Sequence, residues 1–317
     1  MDTNQYLNKI LEGQDLAEDS PELKELREHR GDVEKLLRSA FPGTTPTIRY
    51  GGSKAKGTLV RESYDLDIAC YFPNDDTSAG KTLKDIYGNV KAALEKSYLV
   101  QPRTSALRLK SKDLNDFGRD FHIDVVPGRF VDDSETDCFL HQEGSSKGWL
   151  KTNLDVHIEH ARNSGVVPTI RLFKLWRVRR ALTVRQFVFE LLIIKVLKEK
   201  KANSLSSQLE TVWKFLKDTA EPITVEDPAN PTGNDLSPLL DSGIWAGLQQ
   251  AATATLELMA NSGWEAVFGP IPRGDDEEKP EKERKKEPPP VVLPGPPPSR
   301  PRRDRDDRPP QPDRRHG

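Results

Sequence analysis

Cysteine is scarce in this sequence. Only Cys70 and Cys138 occur among the 317 residues, and there is no Cys-x-x-Cys pair or cysteine–histidine cluster. A zinc site normally needs such a cluster, and a disulfide-stabilised scaffold needs several cysteine pairs. We therefore expect neither, and the composition suits a reducing compartment such as the cytoplasm.

Long apolar runs and a dominant charge of one sign are also missing. No run of about 18 apolar residues occurs, and the N-terminal segment lacks the basic and apolar regions of a signal peptide. We therefore expect no membrane association. The net charge of −2 gives no general basic field, so nucleic acid is not expected as an obligate partner.

Apolar residues become rare near the C-terminal end. From Arg273 onward the chain consists mainly of Pro, Lys, Arg, Asp and Glu. Such a segment cannot bury enough apolar surface to offset the conformational entropy that it would lose on ordering. We predict that residues 271–317 are a disordered tail.

The hydrophobic pattern before this tail changes once along the chain. Residues 7–41 are predicted to be helical, and Pro42-Gly43 ends that segment. A mixed α/β region follows, with strands predicted at 47–50, 65–72, 105–110 and 121–126 and a helix at 82–97. After about Gly148 helices are predicted at 152–163, 168–181, 184–200, 207–220 and 244–261. The fold class is therefore α/β, with N-terminal helices and a mixed α/β lobe over 1–150 and an all-helical lobe over 151–270.

Three aspartates lie on two of the predicted strands. Asp65 and Asp67 are separated by one residue, so their side chains point to the same face of a strand. Asp124 lies between Ile123 and Val125, which places it near a core. Neighbouring carboxylates repel each other unless a cation lies between them. Oxygen ligands of this kind suit Mg²⁺, which proteins hold with a few carboxylates and the phosphates of a substrate.

A glycine–serine turn, Gly51-Gly52-Ser53, follows the strand predicted at 47–50. Glycine lets backbone N–H groups approach phosphate oxygens, and the serine hydroxyl adds a donor. Alone, a GGS sequence is usually a turn and an Asp-x-Asp sequence is usually a surface feature. In this chain GGS is followed by DLD about a dozen residues later and then by HIDVVP. That order indicates phosphate and metal chemistry at one site.

These segments resemble one group of enzymes. Gly52-Ser53 with Asp65 and Asp67 resembles the polymerase β-type nucleotidyltransferase signature. YGGSKAKGT, SYDLDIACYF, FHIDVVP and PTIRLFKLWR are similar to segments of the CD-NTases, bacterial relatives of cyclic GMP-AMP synthase and oligoadenylate synthase. DPANPTGND resembles the DPxxPT stretch of oligoadenylate synthases. The resemblance covers about residues 5–270 and implies a polymerase β-type lobe joined to a helical lobe.

The resemblance also implies an activity and its residues. Asp65, Asp67 and Asp124 match the catalytic metal triad, which would hold two Mg²⁺ ions, with Mn²⁺ as a possible substitute. The implied reaction joins NTPs into a cyclic di- or trinucleotide for antiphage (CBASS) signalling and releases pyrophosphate. The residues that match nucleotide-binding positions are Gly52, Ser53, Lys174 and Arg171.

Bland interpretations compete with several of these assignments. Arg171, Lys174 and Arg177 recur at three-residue spacing, which also fits a solvated basic face of a helix. Arg108 and Lys110 share a strand face and could contact phosphate, but exposed strand charges are expected for both. Glu190, inside an apolar helix, is expected to make a buried hydrogen bond or ion pair. In the DPANPTGND segment, Asp227 and Asn230 are expected to shape a turn.

Two alternatives to cyclic synthesis remain open from the sequence. The same chemistry could make linear 2′-5′ oligoadenylate or modify RNA, a protein or a small molecule, and the fold could persist in a non-enzymatic binding module. The tail is expected to be a solvated tether. Some CD-NTases are joined through their C-terminal residue to targets by partner proteins, so CBASS operon proteins acting on Gly317 are a further hypothesis.

Overall fold

The computed structural model describes residues 1–112 and 123–272, all of which lie in one compact unit. Its α/β part is built on a seven-stranded mixed sheet with the strand order β1-β2-β5-β4-β3, while β6 pairs with β5 and β7 pairs with β6. The strands are β1 (Thr47–Tyr50), β2 (Leu66–Phe72), β3 (Leu99–Pro102), β4 (Leu107–Lys110), β5 (Ile123–Phe130), β6 (Cys138–His141) and β7 (Trp149–Thr152).

Along the chain, helices precede the first strand, lie between strands and follow the last strand. Those of the first half of the chain are α1 (Thr3–Glu12), α2 (Pro21–Ala40), α3 (Gly52–Lys56) and α4 (Leu83–Leu94). Those of the second half are α5 (Leu154–Arg162), α6 (Val167–Arg179), α7 (Gln186–Val196), α8 (Leu205–Asp218), α9 (Ser242–Ser262) and α10 (Glu265–Phe268), with a short 3-10 helix at Ser237–Leu240. No helix in the described part of the chain is long and apolar enough to cross a membrane.

The helical segment predicted at 7–41 is two helices. Gly13 caps the C-terminal end of α1, and the side chain of Ser20 caps the first turn of α2 by accepting a hydrogen bond from Leu23 N–H. Pro21, at the first helical position of α2, favours a new start because its fixed φ suits the first turn and it has no N–H to leave unpaired. The prediction of one continuous segment was therefore wrong between the two helices.

The two faces of strand β2 have different environments. Ile68, Cys70 and Phe72 belong to a core cluster that includes residues of α2 and α4. Ala69 and Tyr71 alternate with them and pack instead against Phe130 and neighbouring residues of β6. Because side chains alternate along a strand, Asp67 shares the face of Ala69 and Tyr71. The carboxylate therefore lies on the sheet face opposite the α2–α4 core.

The sheet extends further along the chain than predicted. Strand β7, Trp149–Thr152, pairs antiparallel with β6, and the helices of the second half begin only at Leu154. The prediction that helices start after about Gly148 was therefore wrong by one strand. The segment is short and lacks an apolar–polar alternation, and its pairing with β6 depends on contacts that local sequence does not encode.

Helix α1, from the start of the chain, packs in the core formed by the helices of the second half. Leu7, Ile10 and Leu11 of α1 are buried in the same apolar cluster as residues of α6, α7, α8 and α9. Tyr6 fastens α1 to the other end of the described chain, because its hydroxyl donates a 2.6 Å hydrogen bond to Gly269 O. Helix α1 therefore packs with the helical part, although the division at residue 150 remains a prediction. The first two residues of the strand predicted at 121–126 and the tail from residue 273 lie outside the described residues.

Candidate active site

Asp67 and Asp124 are direct neighbours across two paired strands. Strands β2 and β5 run parallel, and the Cα atom of Asp67 is in register with that of Asp124. Register partners on adjacent strands present their side chains to the same face of a sheet. The parallel pairing of β2 with β5 thus brings the two carboxylates together on one face of the sheet.

The turn before β2 fits closely around Asp67. Gly52 has a φ of +68°, and a Cβ atom built on it would overlap Oδ2 of Asp67 and lie 2.9 Å from its Cγ. The N–H of Gly51 donates a 3.0 Å hydrogen bond to the carbonyl of Asp67. Only glycine meets both the backbone conformation and the lack of space at position 52. This contact explains in physical terms why the glycine and the aspartate occur together.

Ser53 is buried beside this turn. Its Oγ atom has no hydrogen-bond partner among the described residues. A buried hydroxyl without a partner is costly, and most buried polar atoms have one. The hydroxyl is therefore suited to receive a polar group of a ligand, which agrees with the phosphate contact predicted for it.

The pKa of Asp67 reflects its burial and the two acids near it. Burial raises the pKa of Asp67 to about 6, and the nearby charges of Asp124 and Asp65 add to the increase. Asp65 precedes the first residue of β2 and is exposed. Because like charges destabilise each other, a bound cation would favour the ionised form of Asp67. Their electrostatics thus show that they share one neighbourhood.

Arg108 makes the closest contact to this acidic group. Its Nε donates to Asp124 Oδ1 at 2.8 Å, and its Nη2 donates to Asp124 Oδ2 at 2.6 Å. Strand β4 holds Arg108 in register with Asp124 across an antiparallel pair. The expectation that Arg108 is an exposed strand charge was wrong. The sequence placed both residues in predicted strands, at 105–110 and 121–126. The register that pairs the two strands was not predictable.

The acids do not form a ready-made metal-binding set. Among residues 1–112 and 123–272, no three Asp, Glu, His or Cys side chains are grouped closely enough to hold a metal ion as they stand. The donor chemistry nevertheless fits Mg²⁺, because the group offers carboxylate oxygens and no sulfur or imidazole. The raised pKa of Asp67 has the same basis, a local excess of negative charge that a cation would relieve.

Lys174 approaches the acids from helix α6. It is 3% exposed, and no hydrogen bond or ion pair within 4 Å to its ammonium group occurs among the described residues. Burial lowers its pKa, while the charges of Asp65, Glu190 and Asp67 act in the opposite direction. A buried ammonium group is unfavourable unless it meets an anion. Its position is therefore consistent with the predicted contact to a triphosphate.

Arg171 has partners away from the acids. Its Nε donates to Leu59 O at 3.0 Å, and its Nη2 forms a 2.6 Å ion pair with Asp15. Arg177 is the basic residue of α6 that shares the electrostatic environment of Lys174, because the charges of Asp65 and Glu190 both act on it. The three-residue spacing thus does not bring all three cations to one place. Nucleotide binding by Arg171 stays a prediction.

Glu190 is the centre of a buried polar network, as expected. Its carboxylate accepts hydrogen bonds from Lys56 at 3.0 Å, Gln186 at 3.1 Å and Thr58 at 3.3 Å. Lys56 is the last residue of α3, the short helix that begins at Gly52, whereas Glu190 belongs to α7. The ion pair therefore fastens the glycine–serine turn to the helical part. Nothing in the local sequence indicates this partner for Lys56.

The DPANPTGND segment forms a closed turn around Asp227. Its buried carboxylate accepts hydrogen bonds from the backbone N–H of Ala229 and from the side chain of Asn234, and it pairs with His157 at 2.7 Å. Asn230 donates to Lys151 O at 2.9 Å. The prediction that Asp227 and Asn230 shape a turn is confirmed. Through His157, the turn is fixed to α5.

Comparison with known proteins identifies a relative of this chain. No family model matches the sequence. The cyclic AMP-AMP-AMP synthase of Escherichia coli (strain MS 115-1) is 21% identical over 268 residues, which cover 69% of this chain and 80% of that protein.

Solved structures provide a second comparison. The E. coli MS115-1 CdnC, solved as a complex with HORMA-deltaN, superposes with a TM-score of 0.63 at 18% identity, covering 86% of this chain and 98% of that one. The Vibrio cholerae DncV cyclic AMP-GMP synthase, in complex with the linear intermediate 5′ pppA(3′,5′)pG, gives 0.65 at 14% identity, with 86% and 97% coverage. This chain has the CD-NTase fold. The predicted resemblance to CD-NTases and the predicted fold class, a polymerase β-type lobe plus a helical lobe, are thereby confirmed.

Proposed function

We propose that this CD-NTase-fold protein is a metal-dependent nucleotidyltransferase that joins NTPs into a cyclic di- or trinucleotide and releases pyrophosphate. The observation that carries the proposal is the in-register pair Asp67 and Asp124, with Gly52 packed against Asp67. The relatives support the cyclic product, because two of those reported above are named as cyclic AMP-AMP-AMP synthase and cyclic AMP-GMP synthase.

The carboxylates of Asp65, Asp67 and Asp124 would hold two Mg²⁺ ions, and Mn²⁺ could replace them. When bound, the ions would neutralise negative charge on the transferred phosphoryl group and on the leaving pyrophosphate. The chain itself supplies the oxygen donors and crowds them together. Burial raises the pKa of Asp67, and the negative charges of Asp124 and Asp65 raise it further.

The glycine–serine turn and α6 would hold the donor triphosphate. The backbone N–H groups of the turn would face the phosphate, and the unpartnered hydroxyl of Ser53 offers a further hydrogen bond. Lys174 would give its buried ammonium group an anionic partner. Arg171 remains a weaker candidate because Asp15 and Leu59 O already engage its guanidinium group.

The reaction needs a base and an aligned acceptor. The acceptor nucleotide's 2′- or 3′-hydroxyl oxygen would bond to the donor α-phosphorus as the bond from that phosphorus to the pyrophosphate oxygen breaks. Asp124 is the residue that we assign to take the proton from the hydroxyl. A second transfer between the ends of the linear product would close the ring and release a second pyrophosphate.

The biological setting is part of the same proposal. We place the enzyme in the cytoplasm, where its product would serve as a second messenger in antiphage (CBASS) defence. The E. coli relative was solved with a HORMA protein, which makes protein partners plausible for this fold. Modification of Gly317 by operon proteins remains our hypothesis for the tail, and Gly317 lies outside the described residues. Nucleic acid is not required as a partner.

Product analysis tests the proposal. The purified chain is incubated with Mg²⁺ or Mn²⁺ and all four labelled NTPs, and the products are separated, treated with phosphatase and weighed by mass spectrometry. A phosphatase-resistant cyclic product of two or three nucleotides is expected. A linear 2′-5′ oligoadenylate, or transfer only to added RNA, protein or small molecule, would instead support the second candidate. Absence of any turnover with either metal would contradict both.

A further inference from the structure

Arg108 occupies both oxygens of the third carboxylate. Its two hydrogen bonds reach Asp124 Oδ1 and Oδ2 at 2.8 and 2.6 Å. This side-by-side arrangement is the strongest geometry available to a guanidinium–carboxylate pair. The pair is partly shielded from water, since the side chains of Arg108 and Asp124 are 26% and 15% exposed. The lone pairs of Asp124 that face Arg108 are therefore already engaged.

Arg108 also has a special position among the cations. In the two described ranges, it is the basic side chain that hydrogen-bonds one of the three acids, whereas Lys174 acts on them only through its field. Hydrogen bonding to Asp124 raises the pKa of Arg108, and the charges of Asp65 and Asp67 contribute further. One fixed positive charge thus offsets part of the repulsion within the acidic group.

We propose that Arg108 is a positioning residue that holds Asp124 in the metal-free enzyme and competes with a divalent cation for its carboxylate oxygens. The inference rests on the proposed function, because it requires Asp124 to be a metal ligand. Each oxygen of Asp124 has two lone pairs, and Arg108 engages one of them, so a cation must either bind beside the guanidinium group or displace one of its hydrogen bonds. The guanidinium charge then lies close to the incoming cation and weakens its binding.

This competition has a consequence for substrate binding. An NTP carries several negative charges, which compensate the repulsion between Arg108 and the cation. The cation should therefore bind weakly on its own and more tightly together with the triphosphate. Arg108 would thus couple metal loading to the arrival of substrate and would prevent the free enzyme from binding cations tightly without it.

Titration of Mn²⁺ into nucleotide-free protein tests this competition. The fraction of free Mn²⁺ is measured from its electron paramagnetic resonance signal for the wild type, R108Q, R108K and K110Q. Lys110 is exposed on the same strand and lies opposite Leu99, so K110Q controls for a change of surface charge. R108Q should bind Mn²⁺ about tenfold more tightly because a nearby positive charge is lost. R108K should lie between R108Q and the wild type, and K110Q should match the wild type.

Two further measurements separate this role from a purely structural one. The midpoint of thermal unfolding in EDTA should fall for R108Q and should recover when Mn²⁺ is added. In a D124N background, the substitution R108Q should tighten Mn²⁺ binding by clearly less than it does in the wild type, because only the field of Arg108 at Asp65 and Asp67 is then lost. A structural ion pair would lower the unfolding midpoint without tightening Mn²⁺ binding.

The inference is overturned if R108Q and R108K, both folded, bind Mn²⁺ no more tightly than the wild type. The assay contains no nucleotide, so it is independent of product formation. Equal Mn²⁺ affinities with normal cyclic synthesis would contradict this inference alone. Tighter binding by R108Q in a protein that makes no nucleotide product would contradict the proposed function while supporting the competition at Asp124.

Discussion

At the scale of single residues, the fit between Gly52 and Asp67 is the tightest constraint in the site. Gly52 requires a positive φ, and the carboxylate of Asp67 fills the space where a side chain would begin. The conformation and the contact are independent reasons for glycine at this position. A substitution here therefore tests the geometry of the site without changing any charge.

The substitution G52A should reduce nucleotide turnover at least about 100-fold, because a displaced catalytic carboxylate costs that much for a shift of about 1 Å. It should also destabilise the fold by about 1–2 kcal/mol, since alanine is strained at positive φ. The measurements are pyrophosphate release and urea unfolding. G88A is the matched control, because Gly88 lies in α4 with no atom within 4 Å of a built Cβ. Equal activity of G52A and G88A would contradict the assigned contact.

At the scale of elements, two of the basic residues of α6, Lys174 and Arg171, have different surroundings. Lys174 is buried near the acids without a hydrogen-bonded partner in the described chain, whereas Arg171 connects α6 to Leu59 and Asp15. Removing Lys174 removes an unfavourably buried charge. Removing Arg171 removes hydrogen bonds that stabilise the fold. The two substitutions should therefore separate catalysis from stability.

K174M should lower kcat/KM for NTP about 100-fold or more, because it removes a charge aimed at the triphosphate. Its unfolding free energy should equal or exceed that of the wild type. R171M should lose about 1 kcal/mol of stability, because its hydrogen bonds to Leu59 O and Asp15 are removed, and should retain more activity. Steady-state kinetics and urea unfolding measure both. If R171M instead raised KM without loss of stability, Arg171 would be a nucleotide ligand, as its resemblance implies.

Helix α7 is joined to the glycine–serine turn by the Glu190–Lys56 ion pair. E190A should destabilise the protein by about 3–5 kcal/mol, since Lys56 would remain largely buried without its counter-charge. The double variant K56M/E190L should recover most of this loss, because it removes both charges together. Chemical unfolding of the three proteins gives the result. A loss in the double variant as large as that of E190A would show that the pairing does not set the cost.

The turn around Asp227 predicts a dependence of stability on pH. Burial acts to raise the pKa of Asp227, but the hydrogen bonds from His157, Asn234 and Ala229 outweigh it and leave the pKa below the ordinary 3.8. A lowered pKa in the folded state means that the ionised group stabilises the fold above pH 3.8. That contribution is lost as the pH falls through the lowered folded-state pKa.

D227N should therefore reduce the unfolding free energy by about 2 kcal/mol at pH 7, in the range for hydrogen bonds to a charged group. The difference from the wild type should shrink as the pH falls below 3.8. Urea unfolding at several pH values measures it. A difference that grew towards acid pH would have the wrong sign for this assignment.

At the scale of the whole molecule, the sequence predicted what depends on local pattern and recurring motifs. The strand at Thr47–Tyr50 was predicted with its observed bounds, and Asp67 with Asp124 was assigned to one site. Partners set by strand register or by packing between distant helices were not predictable. Arg108 opposite Asp124 depends on register, and Lys56 with Glu190 depends on packing across 134 positions of sequence. The local sequence around these residues does not indicate either pairing.

The residues of the site all lie before the predicted tail. Removal of residues 273–317 should leave the unfolding midpoint within about 2 °C of the full chain and should leave in vitro NTP turnover unchanged, because the assigned contacts lie in residues 1–272. Calorimetry and the product assay compare the two chains. A truncated protein that unfolds much earlier or loses turnover would show that the tail contributes to the enzyme itself.

The central claim is that Asp67 and Asp124 act together on NTPs through divalent cations. The most direct measurement is the rate of Mg²⁺-dependent pyrophosphate release for the wild type, D67N, D124N and the surface control D133N. We predict that D67N and D124N each lose at least about 1,000-fold while D133N keeps the wild-type rate. Release by D67N and D124N at the wild-type rate would contradict the assignment of the site and the activity built on it.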